Sequence, residues 1–165
     1  MIVVADTTPI ISLMKINQLD LLEKLFKHVQ IPDSVYMELV INQRFQEEAE
    51  IIKKVTFIEV VTVKDTKSVS ILQRATGLAK GESEAIILAE ELGADVLLMD
   101  EKKGRLVAKQ MGNQITGTLG VIVNAYDEGL VTSEIALVCF QQLKDSGIRI
   151  SSSLHKSLID RVLSP

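Results

Sequence analysis

The feature that most constrains this chain is an alternation of short apolar runs with helix-period patterns. The runs are Ile2-Val3-Val4-Ala5, residues 29–31, residues 57–63, Val96-Leu97-Leu98-Met99 and Gln114-Ile115. Runs this short and this apolar are expected for strands covered on both faces, and helical segments between them supply right-handed crossovers. The pattern therefore predicts an α/β fold with a central parallel sheet flanked by helices on both faces. At 165 residues the length suits one domain spanning 1–165.

Helix signals fill the gaps. Thr8 is a good N-cap with Pro9 at the first helical position, and Asn17 can cap a second helix carrying Leu21, Leu22, Leu25 and Phe26. Further helices are expected from Asp33 through Val40, over 46–54, over 69–75, and over 82–92, where Ala85, Leu88, Ala89 and Leu92 keep a 3-4 spacing. Later helices should cover 102–110, 118–125, 133–143 and 154–163.

Composition closes off several function classes. A net charge of −4 gives no general attraction to nucleic acid or anionic lipid, so any polyanion must meet a local patch. The single cysteine, Cys139, excludes an intrachain disulfide framework and lies in an apolar stretch that reads as core. The two histidines, His28 and His155, have no metal-ligand spacing. No apolar run approaches the ~18 residues of a membrane span, and the N-terminus lacks a signal-peptide pattern, so a cytoplasmic protein is expected.

Two of the clearest strands end on the same residue type. Val3-Val4-Ala5 runs into Asp6, and Leu97-Leu98-Met99 runs into Asp100. In open parallel sheets, ligands bind beyond the carboxyl ends of the strands, so neighbouring strands would bring both carboxylates to one crevice. Capping of the following helices is the competing explanation for each. Glu38 stands between Val35 and Ile41 on the third helix, as a pocket acid or as a boundary residue reaching water. Glu82 and Glu84 open the next strong helix. The helix dipole accounts for Glu82, whereas Glu84 precedes the apolar stretch 85–89 and is the better candidate for a protein-lined pocket. Grouped carboxylates repel unless a cation or a shared proton intervenes, and oxygen-only donors suit magnesium or manganese.

The ordered set Val-Val-Ala-Asp6-Thr-Thr-Pro, Glu38, Gly81-Glu-Ser-Glu84-Ala-Ile-Ile-Leu-Ala and Leu-Leu-Met-Asp100-Glu-Lys-Lys-Gly-Arg105 resembles the PIN-domain family, most closely its VapC-type toxin branch. The resemblance covers about residues 2–126, leaving about 127–165 as a C-terminal helical extension. It implies a metal-dependent endoribonuclease, the toxin of a toxin–antitoxin pair, with Mg2+ or Mn2+ held by Asp6, Glu38, Glu84 and Asp100 as catalytic and metal-binding acids. Thr7 matches a position that often carries a small hydroxyl residue and is a candidate nucleic-acid contact. The chain departs from the family at Glu84, where Asp is common, and at Leu98, where a hydroxyl residue is common.

Metal ions bridged by acids can activate water and neutralise the leaving oxygen of a phosphodiester. Beside Asp100, Lys102, Arg105 and Lys109 fall on one helix face, either as a phosphate-binding strip or as a solvated charged face. Aromatics amount to 4%, so base stacking should not dominate RNA recognition. Expected partners are RNA, an antitoxin protein and a second copy of the chain. The homodimer rests on Val131, Ile135, Leu154, Leu158 and Ile159 in the tail helices. The main alternative is a catalytically inert PIN-like scaffold that binds protein or nucleic acid. A phosphoryl-transfer α/β protein is a weaker rival, because Thr8 stands where a phosphatase-type Asp-x-Asp-x-Thr motif needs its second acid.

Overall fold

The computed structural model describes residues 1–41, 46–148 and 150–164. Five strands, β1 (Val3–Ala5), β2 (Val29–Pro32), β3 (Ile58–Val61), β4 (Val96–Leu98) and β5 (Ile115–Thr116), form one sheet in the order β3-β2-β1-β4-β5. Every pairing is parallel. The expected α/β architecture is therefore present, and β1 and β4 are neighbours with Ala5 opposite Leu98. The chain leaves β1 first for β2 and β3 on one side and then for β4 and β5 on the other. The crevice beyond the carboxyl ends of β1 and β4 is thus the topological switch point of the sheet.

The strands' period-2 alternation divides the core into two layers. Val3, Ala5 and Leu98 face one layer, with α1 (Thr7–Lys15), α2 (Asp20–Phe26), α8 (Thr118–Asp127), α9 (Ser133–Asp145) and α10 (Ser152–Leu163). Val4, Leu97 and Met99 face the other, with α5 (Thr66–Thr76), α6 (Lys80–Leu92) and α7 (Lys102–Gln110). The helices α3 (Asp33–Ile41) and α4 (Gln46–Lys54) pack on each other and contribute Val35, Leu39 and Ile52 to the first layer. Cys139 is buried in that layer, as the apolar stretch around it predicts. Among the described residues, no helix is long and apolar enough to cross a membrane.

Several boundaries differ from the sequence reading, each for a local reason. The first helix starts at Thr7, so Asp6 rather than Thr8 takes the N-cap position. Pro9 is then the third helical residue, still within the turn whose N–H groups have no intrahelical acceptor. Asn17 does not cap α2. It takes a left-handed conformation at φ 56° just after α1, which asparagine tolerates better than most residues. The fifth helix starts at Thr66 because Asp65 caps it, accepting from Ser68 N at 2.9 Å. In the tail, Val131 is buried in the core and Leu158 packs against it, whereas Ile135 and Leu154 are exposed.

Candidate active site

Asp6 marks the centre of the crevice. Its N–H donates to Leu98 O at 2.9 Å, continuing the β1–β4 ladder by one residue and holding Asp6 beside the end of β4. Although it occupies the N-cap of α1, its carboxylate makes no capping hydrogen bond in the usual sense. The residue is only 4% exposed. Burial pushes its pKa from 3.8 up to about 6; the Thr7 backbone N–H opposes that rise, and the charges of Glu38, Glu101 and Asp100 add to it. The side-chain charges that bear most on Asp6 are thus all negative.

Glu38 reaches this group from α3. Thr7 is buried, and its Oγ1 donates to Glu38 Oε2 at 2.7 Å, joining the first turn of α1 to the middle of α3. The other oxygen, Oε1, lies over Gly81: a Cβ there would stand 2.6 Å from it. The approach of this carboxylate to α6 therefore needs a residue without a side chain. Thr7, a candidate RNA contact from sequence, here donates its hydroxyl to a carboxylate of the cluster.

Asp100 is held more firmly than the sequence suggests. Its Oδ1 accepts from Thr118 N at 2.7 Å and its Oδ2 from Thr118 Oγ1 at 2.6 Å, so both oxygens cap the start of α8. A Cβ on Gly117 would meet Asp100 Oδ1 at 2.5 Å and Arg105 Nη1 at 2.9 Å. The backbone donor of Thr118, at the start of α8, is thus already used by the protein. The hydroxyl that the family often carries two residues before this Asp is replaced by Leu98, which is fully buried in the core; here Thr118 brings a hydroxyl to Asp100 from another element.

The third acid is placed differently from expectation. Glu84 Oε2 accepts from Ser34 N at 3.0 Å, and Oε1 lies 3.9 Å from Lys80 Nζ. These contacts turn Glu84 toward the first turn of α3 rather than toward Asp6. Glu82, attributed from sequence to the helix dipole alone, is the acid of α6 that interacts with Asp6. Its Oε2 accepts from Ala79 N at 3.1 Å, which is the capping role the dipole argument implies. In addition, burial and a hydrogen bond with Glu101 push its pKa from 4.5 up to about 7. Two residues of spacing explain the difference: on a helix they point about 200° apart. Sequence patterning favoured Glu84 because the apolar stretch follows it directly, whereas the approach of Glu82 to Asp6 and Glu101 depends on tertiary packing.

On α7, Lys102 and Lys109 are exposed, while Arg105 is half-buried and donates from Nη1 to Met99 O at 3.0 Å. The basic face expected from spacing therefore exists, with Arg105 anchored at its inner edge beside Asp100.

The donor chemistry of the crevice fits a hard divalent cation: every donor is a carboxylate oxygen, and the buried Asp6 carries charge repulsion that a cation relieves. Among the described residues, however, no three His, Cys, Asp or Glu side chains already stand close enough together to hold an ion. Asp100 is the clearest case, with both oxygens on Thr118.

A central parallel sheet with acids gathered at its switch point defines the class, and comparison with known families agrees. A family profile described as PIN domain matches residues 2–164. The chain belongs to the PIN-domain family, whose members are typically nucleases and generally use divalent metal ions. No curated protein matches the sequence.

Proposed function

We propose that this protein is a Mg2+- or Mn2+-dependent endoribonuclease and the toxin of a toxin–antitoxin pair. The observation that carries the reading is Asp6, a buried carboxyl at the end of the central strand whose pKa is pushed up to about 6 in the company of three further carboxylates. Burying an acid among acids destabilises a fold, and a site for a cation and a phosphate accounts for that arrangement.

When bound, the ion supplies water activation and neutralises charge on the leaving oxygen. Asp6 and Asp100 are the principal ligands in this reading, with Glu38 and Glu82 completing the acidic wall and Glu101 adding to it. Thr7 fixes the orientation of Glu38, and Thr118 fixes that of Asp100. Arg105, with Lys102 and Lys109 outside it, draws the phosphate backbone toward the acids. Glu84, engaged by Ser34, stands outside this set. A homodimer formed through the tail helices, at the exposed Ile135 and Leu154, is part of the proposal.

The second reading, an inert PIN-like scaffold, has one observation in its favour: each oxygen of the Asp100 carboxylate already accepts a hydrogen bond from Thr118. Cleavage of a mixed single-stranded RNA in Mg2+ or Mn2+ separates the two. A nuclease gives ion-dependent cleavage that Asp100→Asn abolishes; equal background in both proteins selects the scaffold.

A further inference from the structure

A second cavity, of about 440 Å3, opens between the first turns of α3, α5 and α6. It is separate from the acidic crevice but adjoins it. Glu38 follows Ser34, on the cavity wall, by one turn of α3, a rise of about 5.4–6 Å. Gly81, which abuts Glu38, follows Lys80 on the same wall.

The cavity presents a particular pair of groups. Glu84, its side chain 12% exposed, accepts from Ser34 N on Oε2 at 3.0 Å, and among the described residues no donor lies within hydrogen-bond reach of Oε1. Lys80 Nζ stands 3.9 Å from Oε1, beyond hydrogen-bond reach, so its donors remain available to a ligand. An acceptor-only carboxylate and a cationic donor therefore lie side by side. Met37 and Val69 give the cavity apolar surface, and Gln73 adds an amide.

From this juxtaposition of Glu84 and Lys80 we infer that the cavity is a base-recognition subsite that takes a guanine of the RNA strand. The inference rests on the nuclease reading. Guanine offers N1–H and N2–H2 as adjacent donors, which the carboxylate accepts together through Oε1 and the one lone-pair site that Ser34 N–H leaves on Oε2, and O6 as an acceptor for the ammonium. Uracil has one N–H between two carbonyls, and adenine and cytosine each present a single exocyclic amine beside an acceptor, so none gives the carboxylate two neighbouring donors. The base lies against Met37 and Val69 while its phosphate extends toward Glu38.

The test has two independent readouts. In the first, GMP, AMP, CMP and UMP are titrated into the protein and followed by NMR at the Met37 methyl and the Gln73 side-chain amide. GMP shifts both signals, with an affinity about tenfold above the other nucleotides, and Glu84→Gln, which keeps an acceptor for Ser34 N–H, removes the preference. Gln73→Ala, on the opposite wall, weakens GMP binding without disturbing the α3–α6 contact. In the second, cut sites in a randomised RNA are mapped, and guanine is enriched at one fixed offset from the cut in the native protein but not in Glu84→Gln. Equal response to all four nucleotides, or a guanine preference that Glu84→Gln leaves intact, overturns the inference. So does GMP binding joined to cleavage without guanine enrichment. Absence of all cleavage counts against the nuclease reading, and the nucleotide titration still decides the subsite.

Discussion

Thr7 Oγ1 donates to Glu38 Oε2 at 2.7 Å, across 31 residues of sequence, and so fixes one acid of the crevice from the turn that begins beside another. A buried hydroxyl engaged in this way positions its partner. Thr7→Val, nearly isosteric, should lower stability by about 1–2 kcal/mol and cleavage by roughly tenfold. Thr7→Ser should restore both. Thermal melts and initial cleavage rates measure the two effects, and unchanged rates in Thr7→Val would remove Thr7 from the site.

Asp6 predicts an unusual dependence of stability on pH. Its folded-state pKa of about 6 lies above the ordinary 3.8. The folded protein therefore binds more protons than the unfolded chain between these values, and stability is lost as pH rises through 6. At neutral pH the penalty is at most about 3 kcal/mol. Asp6→Asn should thus melt at a higher temperature than the native metal-free protein at pH 7, with the difference shrinking toward pH 4, while cleavage is abolished. A variant that is less stable at pH 7 contradicts the assignment of charge repulsion to Asp6.

Gly117 faces Asp100 and Arg105 so closely that a methyl group has no place. Gly117→Ala should displace the carboxylate, reduce activity at least tenfold and cost about 1–3 kcal/mol of stability. Denaturant unfolding together with single-turnover cleavage checks this.

The exposed Lys102 and Lys109 should contribute to RNA affinity through phosphate alone. Replacing both by Ala should weaken binding to all sequences alike and flatten the slope of log affinity against log salt by about 1.4 for single strands. An unchanged slope in a filter-binding series assigns the strip to solvation.

The sheet, its parallel sense and the meeting of Asp6 with Asp100 were legible in the sequence because fully covered strands write themselves as short apolar runs, and both end in the same acid. The two glycines that make room for the acids were legible only as turn or helix-start residues, since close approach depends on tertiary packing. Glu82 and Glu84 differ by two positions on one helix, and composition does not separate them: the apolar stretch after Glu84 reports burial of α6 but not which acid looks toward Asp6. The commitment of Thr118 to Asp100 joins residues 18 apart through the β4–β5 crossover, and no local pattern announces it. Asn17 shows the same limit on a smaller scale, because its side chain suits both a helix start and the left-handed turn it adopts.

Manganese binding to the native protein and to Asp6→Asn, measured by titration calorimetry at pH 7.5, tests the central claim most directly. The account predicts that the native protein binds the ion and that the substitution weakens binding by at least about tenfold, as expected when a buried ligand charge is removed. Equal affinity in the two proteins, or no binding to either, would contradict it.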